Sequence, residues 1–109
     1  MAIQIVILES AEQDLKLLRN YILKHFSVDV WRSSYTNIKQ VIRNLQAFPE
    51  VGAIADELEK LNLAQYRQVL SGMNRIIYEL RQETIYIHMI VDSRRDLSGL
   101  LARRLLRMS

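Results

Sequence analysis

Hydrophobic and polar positions alternate along this chain in two rhythms. Ile3 to Leu8 is short, β-branched and apolar, the signature of a buried strand. The spacing then turns helical: Ala11, Leu15, Leu18, Ile22 and Phe26 predict an amphipathic helix over roughly 10–25. Ser10 offers an N-cap and Gln13, three residues on, closes a capping box. Ser27 or Asp29 caps a second helix with the apolar stripe Trp31, Tyr35, Ile38, Val41 or Ile42, and Leu45. Pro49 stops it, because proline has no N–H to continue the ladder and pushes Phe48 toward extended geometry. So short a break between two helices predicts an antiparallel helical hairpin.

Pro49 to Leu63 has no sustained period; Gly52 suggests a turn, and Asp56 to Leu61 one helical turn. Three β-type runs follow, in Tyr66–Leu70, Asn74–Leu80 and Thr84–Asp92. Ser71-Gly72-Met73-Asn74 is a turn signal, and Gln82-Glu83 a weaker one without glycine. In the last run Ile85, Ile87, Met89 and Val91 alternate with Thr84, Tyr86, His88 and Ile90. Neither set is plainly polar, so this strand is expected at the centre of the sheet, covered on much of both faces. Asp96 can cap a final helix with apolar positions Leu97, Leu100, Leu101, Leu105 and Met108. The order β-α-α-β-β-β-α predicts one α+β domain over 1–109, a helical hairpin packed on a small, mainly antiparallel sheet. The N-terminal strand must pair in that sheet, since an isolated apolar strand is an aggregation edge.

Half the residues are hydrophobic and a quarter charged, ordinary for a globular chain. With no cysteine there is no disulfide, thiolate metal site or cysteine nucleophile. His25 and His88 lack metal-ligand spacing, and no cofactor motif is present. The apolar start is too short for a signal-peptide core and no run reaches membrane-span length, so a cytoplasmic protein is expected. The net charge of +3 is modest, but acids crowd the middle (Glu50, Asp56, Glu57, Glu59) and arginines the end.

Arg67, Arg75, Arg94 and Arg95 fall on or beside strands. On one concave face they would grip phosphate or carboxylate bidentately; the plainer reading is solvated edge arginines paired with Glu79, Glu83 or Asp92. Arg103, Arg104 and Arg107 suit the negative end of a helix dipole as well as an acidic partner. His88 has the titration range of a general base, yet a lone histidine in an apolar strand is more often a hydrogen-bonded core residue. Tyr66, Tyr78 and Tyr86 suit base stacking only if two share an exposed face; otherwise they are ordinary strand residues. Trp31, at helical spacing, reads as core.

Ala11-x-x-Asp14-Leu15, Leu45-x-x-Phe48-Pro49-x-x-Gly52, Tyr66-Arg67, Arg75-Ile76-Ile77-Tyr78-Glu79, and Arg94-x-Asp96-Leu97 leading to Leu101-x-x-Arg104-Leu105 occur in an order and spacing that resembles the ParE branch of the RelE/ParE superfamily of bacterial type II toxins. The resemblance runs from Ile5 to Arg107. It implies the fold above and a small cytoplasmic toxin held in a hetero-oligomer by a ParD-like antitoxin. Its RelE-like members cleave mRNA on the ribosome; its ParE-like members poison DNA gyrase and arrest growth. By the same resemblance Arg75 and Arg94 map to basic residues of the nucleases. The tyrosine those enzymes carry near the C-terminus falls close to Leu100 here, and their lysine-rich segment is reduced to Lys60. Cleavage needs a group to activate the ribose 2′-hydroxyl as well as one to stabilise the phosphorane, and the first is missing. The resemblance therefore favours a gyrase-directed toxin without catalytic residues, metal, cofactor, membrane contact or sequence-specific nucleic-acid binding. Its expected target-binding residues are Arg94, Arg95, Asp96, Arg103, Arg104 and Arg107, with Arg67 and Arg75 as a candidate basic face. An mRNA interferase is the alternative; it needs Arg67, Arg75 and Arg94 to converge near His88 or Tyr86.

Overall fold

The computed structural model describes residues 2–94 and 97–105. Strand β1 (Gln4–Ile7) leads into helices α1 (Glu9–His25) and α2 (Val28–Asn44). A short α3 (Asp56–Lys60) precedes strands β2 (Tyr66–Ser71), β3 (Asn74–Arg81) and β4 (Thr84–Asp92), and α4 (Leu97–Leu105) follows them. The sheet order is β1-β4-β3-β2, antiparallel except where β1 runs parallel to β4. The apolar last strand is thus central, and β1 finds its partner there.

The hairpin covers one face. Ala11, Ile38, Ile42 and Leu45 pack on Ile76, Tyr78, Ile85, Ile87 and Ile90. The other face is covered too, as the apolar residues on both sides of the last strand predict; the linear pattern did not say which elements cover it. Leu58 and Leu63 around α3 and Leu101 and Leu105 from α4 close over Tyr66, Ile77, Met89 and Val91. At roughly 2 kcal/mol per fully buried aliphatic side chain, each cluster is a substantial share of the folding drive. Leu100 packs at the rim of the second cluster; Met108 and the Leu97 side chain lie outside the described residues, as does the expected cap Asp96.

Strict alternation along β4 fails at a β-bulge. Ile77 pairs with Met89 and Tyr78 with Ile87, so His88 is the extra residue. Ile90 therefore joins Ile85 and Ile87 under the hairpin, while Met89 and Val91 turn to the α4 side. Residues on either side of an inserted residue exchange faces because the side-chain period is two.

Two other local expectations change. Ser10 does not cap α1. The helix starts at Glu9 after Leu8, without a side-chain cap, and the Ser10 hydroxyl donates to the His88 carbonyl at 3.1 Å. Ser27, rather than Asp29, caps α2, its Oγ accepting from Val30 N–H at 3.2 Å. Trp31 is half-buried and outside both core clusters; it stacks on Tyr35 at 5.2 Å, and Lys39 lies over the Tyr35 ring at 4.6 Å.

The β2–β3 connection puts Gly72 at φ +59°, as the primed hairpin turns require. Gln82 takes φ +54° in the β3–β4 turn without glycine's freedom. The connection out of the hairpin is fixed from inside the sheet. The fully buried Tyr78 hydroxyl donates to Pro49 C=O and accepts from Gly52 N–H, both at 2.9 Å. A Cβ on Gly52 would meet the Tyr78 hydroxyl at 2.6 Å, its ring at 2.7 Å and the Gln68 carbonyl at 2.8 Å. Gly52→Ala should therefore destabilise the fold by about 2 kcal/mol through overpacking, read as a lowered Tm. An unchanged Tm would mean that the loop relaxes away from Tyr78 at no cost.

Candidate functional site

The arginines singled out from the sequence do not share a face. Arg67 pairs across strands with Tyr78, which lies under the hairpin, and its Nη1 donates to Gly52 C=O at 2.9 Å and Glu50 C=O at 3.4 Å. Arg75 pairs with Val91 on the opposite face and donates to Glu57 Oε2 of α3 at 2.9 Å and Gln68 Oε1 at 3.4 Å. The Glu57 carboxyl is held below its ordinary value by a backbone hydrogen bond first and by Arg75 next, against its partial burial. Arg94 lies past the end of β4, 65% exposed, folded back on Asp92 with contacts of 3.0 Å (Nε) and 2.7 Å (Nη2). Of the acids expected as arginine partners, Asp92 takes Arg94, while Arg75 uses Glu57 instead.

The C-terminal arginines differ from one another. Arg103 is exposed in the last turn of α4. Arg104 turns inward. Its Nη1 reaches both oxygens of Asp14 on α1 at 2.9 and 3.1 Å, and its Nη2 donates to His88 C=O at 2.9 Å. Arg95, Asp96 and Arg107 lie outside the described residues. Asp14 escaped the sequence reading as a partner for Arg104 because 90 residues separate them; both stand in the motifs Ala11-x-x-Asp14-Leu15 and Leu101-x-x-Arg104-Leu105.

His88 is a core residue. It is 3% exposed, its ring edge-on to Tyr66 at 4.9 Å and its Nε2 3.2 Å from Glu79 Oε1. That contact assigns the proton to Nε2, leaving Nδ1 buried without a partner among the described residues. Protonation would place an N–H there with nowhere to donate. Burial accordingly lowers the His88 pKa, outweighing the opposite pull of Glu79. A depressed histidine pKa stabilises the fold above its ordinary value of 6.5, and that stability is lost as pH falls below it. Thermal unfolding between about pH 7 and pH 5 should show Tm falling with acidity, and His88→Gln should flatten that slope. An identical slope in the variant would assign it to other groups.

Base stacking is not supported by the tyrosines. Tyr78 and Tyr66 are buried in opposite core clusters, and Tyr86 is half-buried beneath the Arg81 guanidinium at 4.4 Å. Among the described residues no group of three or more histidine, aspartate or glutamate side chains is placed to hold a metal ion, and no helix is long and apolar enough to cross a membrane.

One surface does gather exposed apolar side chains. A cavity of about 390 Å³ is lined by Leu17, Leu18, Tyr21, Ile90, Asp92 and Arg94 among others. A second, of about 270 Å³, shares Leu18, Tyr21, Asp92 and Arg94 and continues to Phe26, Val30 and Met73. Leu17, Phe26 and Met73 are each more than half exposed. The groove runs from the end of β4 across α1 to the hairpin tip, and it was not anticipated because its lining comes from four separate segments.

Comparison with known proteins agrees with this architecture. A chain described as the chromosomal ParDE TA system from P. aeruginosa superposes with a TM-score of 0.69 over 83% of this chain and 95% of its own, at 13% identity, a likeness of fold. No curated protein matches the sequence. The family model for the ParE toxin of the type II toxin–antitoxin system parDE matches residues 5–97, so the chain belongs to the ParE toxin family.

Proposed function

We propose that this toxin inhibits DNA gyrase by protein contact, through the end of β4 and the exposed side of α4, and that a ParD-like antitoxin neutralises it in a hetero-oligomer. The observation that carries this reading is the division of the arginines. Arg67 and Arg75 sit on opposite faces of the sheet, each engaged by the protein itself, and Arg94 lies beyond its end. A ribonuclease site would need them together beside a proton acceptor, and His88 is enclosed with Glu79 instead. Protein recognition asks for something else: an apolar patch ringed by charge. The groove beside Arg94 has that character, and Arg103 presents a second exposed cation. The antitoxin docks an amphipathic helix along the hairpin and adds a strand to an open sheet edge.

The test is a supercoiling assay with purified toxin, gyrase, ATP and relaxed plasmid. Loss of supercoiling with trapped, cleaved plasmid is expected. Arg94→Glu with Arg103→Glu should weaken inhibition about tenfold or more while leaving Tm within about 1 °C of the parent, since exposed ion pairs contribute little to stability. Undisturbed supercoiling by a toxin that still arrests growth would instead direct attention to ribosome-dependent mRNA cleavage.

A further inference from the structure

Among the described residues, no strand lies on the outer side of the second half of β4. β1 follows it only as far as the Ile7–Ile87 pair, and from His88 to Ile90 the edge is met by side chains. Ile90 N–H donates to Asp14 Oδ2 at 3.0 Å. His88 C=O accepts from Arg104 Nη2 at 2.9 Å and from Ser10 Oγ at 3.1 Å. Arg104 Nη1 ties the arrangement together by bridging to Asp14. A neighbouring strand would offer this edge one acceptor and one donor, and the carboxylate and guanidinium offer the same pair from two different helices.

We propose that the Asp14–Arg104 pair is a latch that stands in for a strand beside β4, so that undocking of α4 and opening of the β4 edge are a single event. The geometry couples them. Arg104 lies between Leu101 and Leu105, the two α4 side chains buried against Met89 and Val91. If α4 lifts, Arg104 leaves Asp14 and His88 together. If the edge opens, the guanidinium loses its acceptors, and a nine-residue helix has little tendency to persist without its docking contacts. The pair is thus a positioning element for the C-terminal helix as well as an edge guard. This inference does not depend on the identity of the toxin's target.

Native-state amide exchange on the full chain tests it. In the parent protein Ile90 and the α4 amides from Leu101 to Leu105 should share one opening free energy, below that of Ile38 and Ile42 in α2. Asp14→Ala should lower protection at Ile90 and throughout α4 together, by about tenfold or more, with a smaller change at Ile38 and Ile42. Faster exchange at Ile90 with α4 unchanged, or one equal factor at every amide, would overturn the latch. Asp14→Arg combined with Arg104→Asp separates a strand substitute from an ordinary ion pair. Opposite charges are restored, but a guanidinium on α1 has no acceptor to offer Ile90 N–H, so Ile90 should stay unprotected; its recovery would overturn the proposal. Should Asp14→Ala not fold, Arg104→Lys keeps the charge and loses the fork. It should lower Ile90 and α4 together by a smaller factor, and an unchanged pattern would count against the latch.

Discussion

Tyr78→Ala is expected to leave the chain close to unfolded at ordinary temperature. The side chain is fully buried, at the centre of the cluster beneath the hairpin. Truncating a core aromatic costs about 3–5 kcal/mol for lost burial and the cavity that remains. Here the hydroxyl also satisfies Pro49 C=O and Gly52 N–H, and removing it leaves a buried donor and an acceptor unmatched, about 1–3 kcal/mol more. Against a total stability of about 5–15 kcal/mol for a domain, little margin survives. Tyr78→Phe isolates the hydroxyl: it keeps the ring and should cost about 2 kcal/mol in denaturant unfolding. A Phe variant as stable as the parent would mean that water or a shifted loop replaces both hydrogen bonds.

On the gyrase reading proposed above, removing residues 96–109 should abolish both supercoiling inhibition and growth arrest. The segment carries Arg103, Arg104 and Arg107, and deleting it also uncovers Ile77, Met89 and Val91. The loss of activity therefore needs a companion that spares the core. The charge reversal at the exposed Arg103 keeps Leu101, Leu105 and the Arg104 contacts in place. Inhibition that survives in a truncated but folded chain, judged by circular dichroism, would remove the active surface from this end of the molecule.

What the linear pattern conveyed depended on how local each signal was. The central position of β4 followed from its apolar residues on both faces, and the hairpin from two helical stripes and Pro49. The bulge at His88 was invisible, since nothing in Ile87-His88-Met89 marks an extra residue until Ile77 and Tyr78 are set opposite. Ser10 had the right residue type and spacing for a cap; an edge carbonyl of β4 outcompeted the helix for its hydroxyl. The arginines were legible as a charge cluster but not as individuals, because Arg67 and Arg75 are separated by register and Arg104 by a partner at the other end of the chain. Several residues of the motifs that carry the resemblance hold the fold: Gly52 and Tyr78 clamp the hairpin's exit, and Asp14 and Arg104 join α1 to α4.

The parallel pairing of β1 with β4 has a consequence for the order in which the chain assembles. The first strand made finds its neighbour in the last, Ile5 beside Ile85, and the hairpin meanwhile has no sheet to rest on. Contacts of such sequence separation form late and slow folding. During synthesis the N-terminal half emerges with its apolar face uncovered, and the Asp14–Arg104 contact closes only with the final helix. A chain interrupted before β4 thus lacks its sheet centre, and the toxin fold forms only once β4 and α4 have both been made.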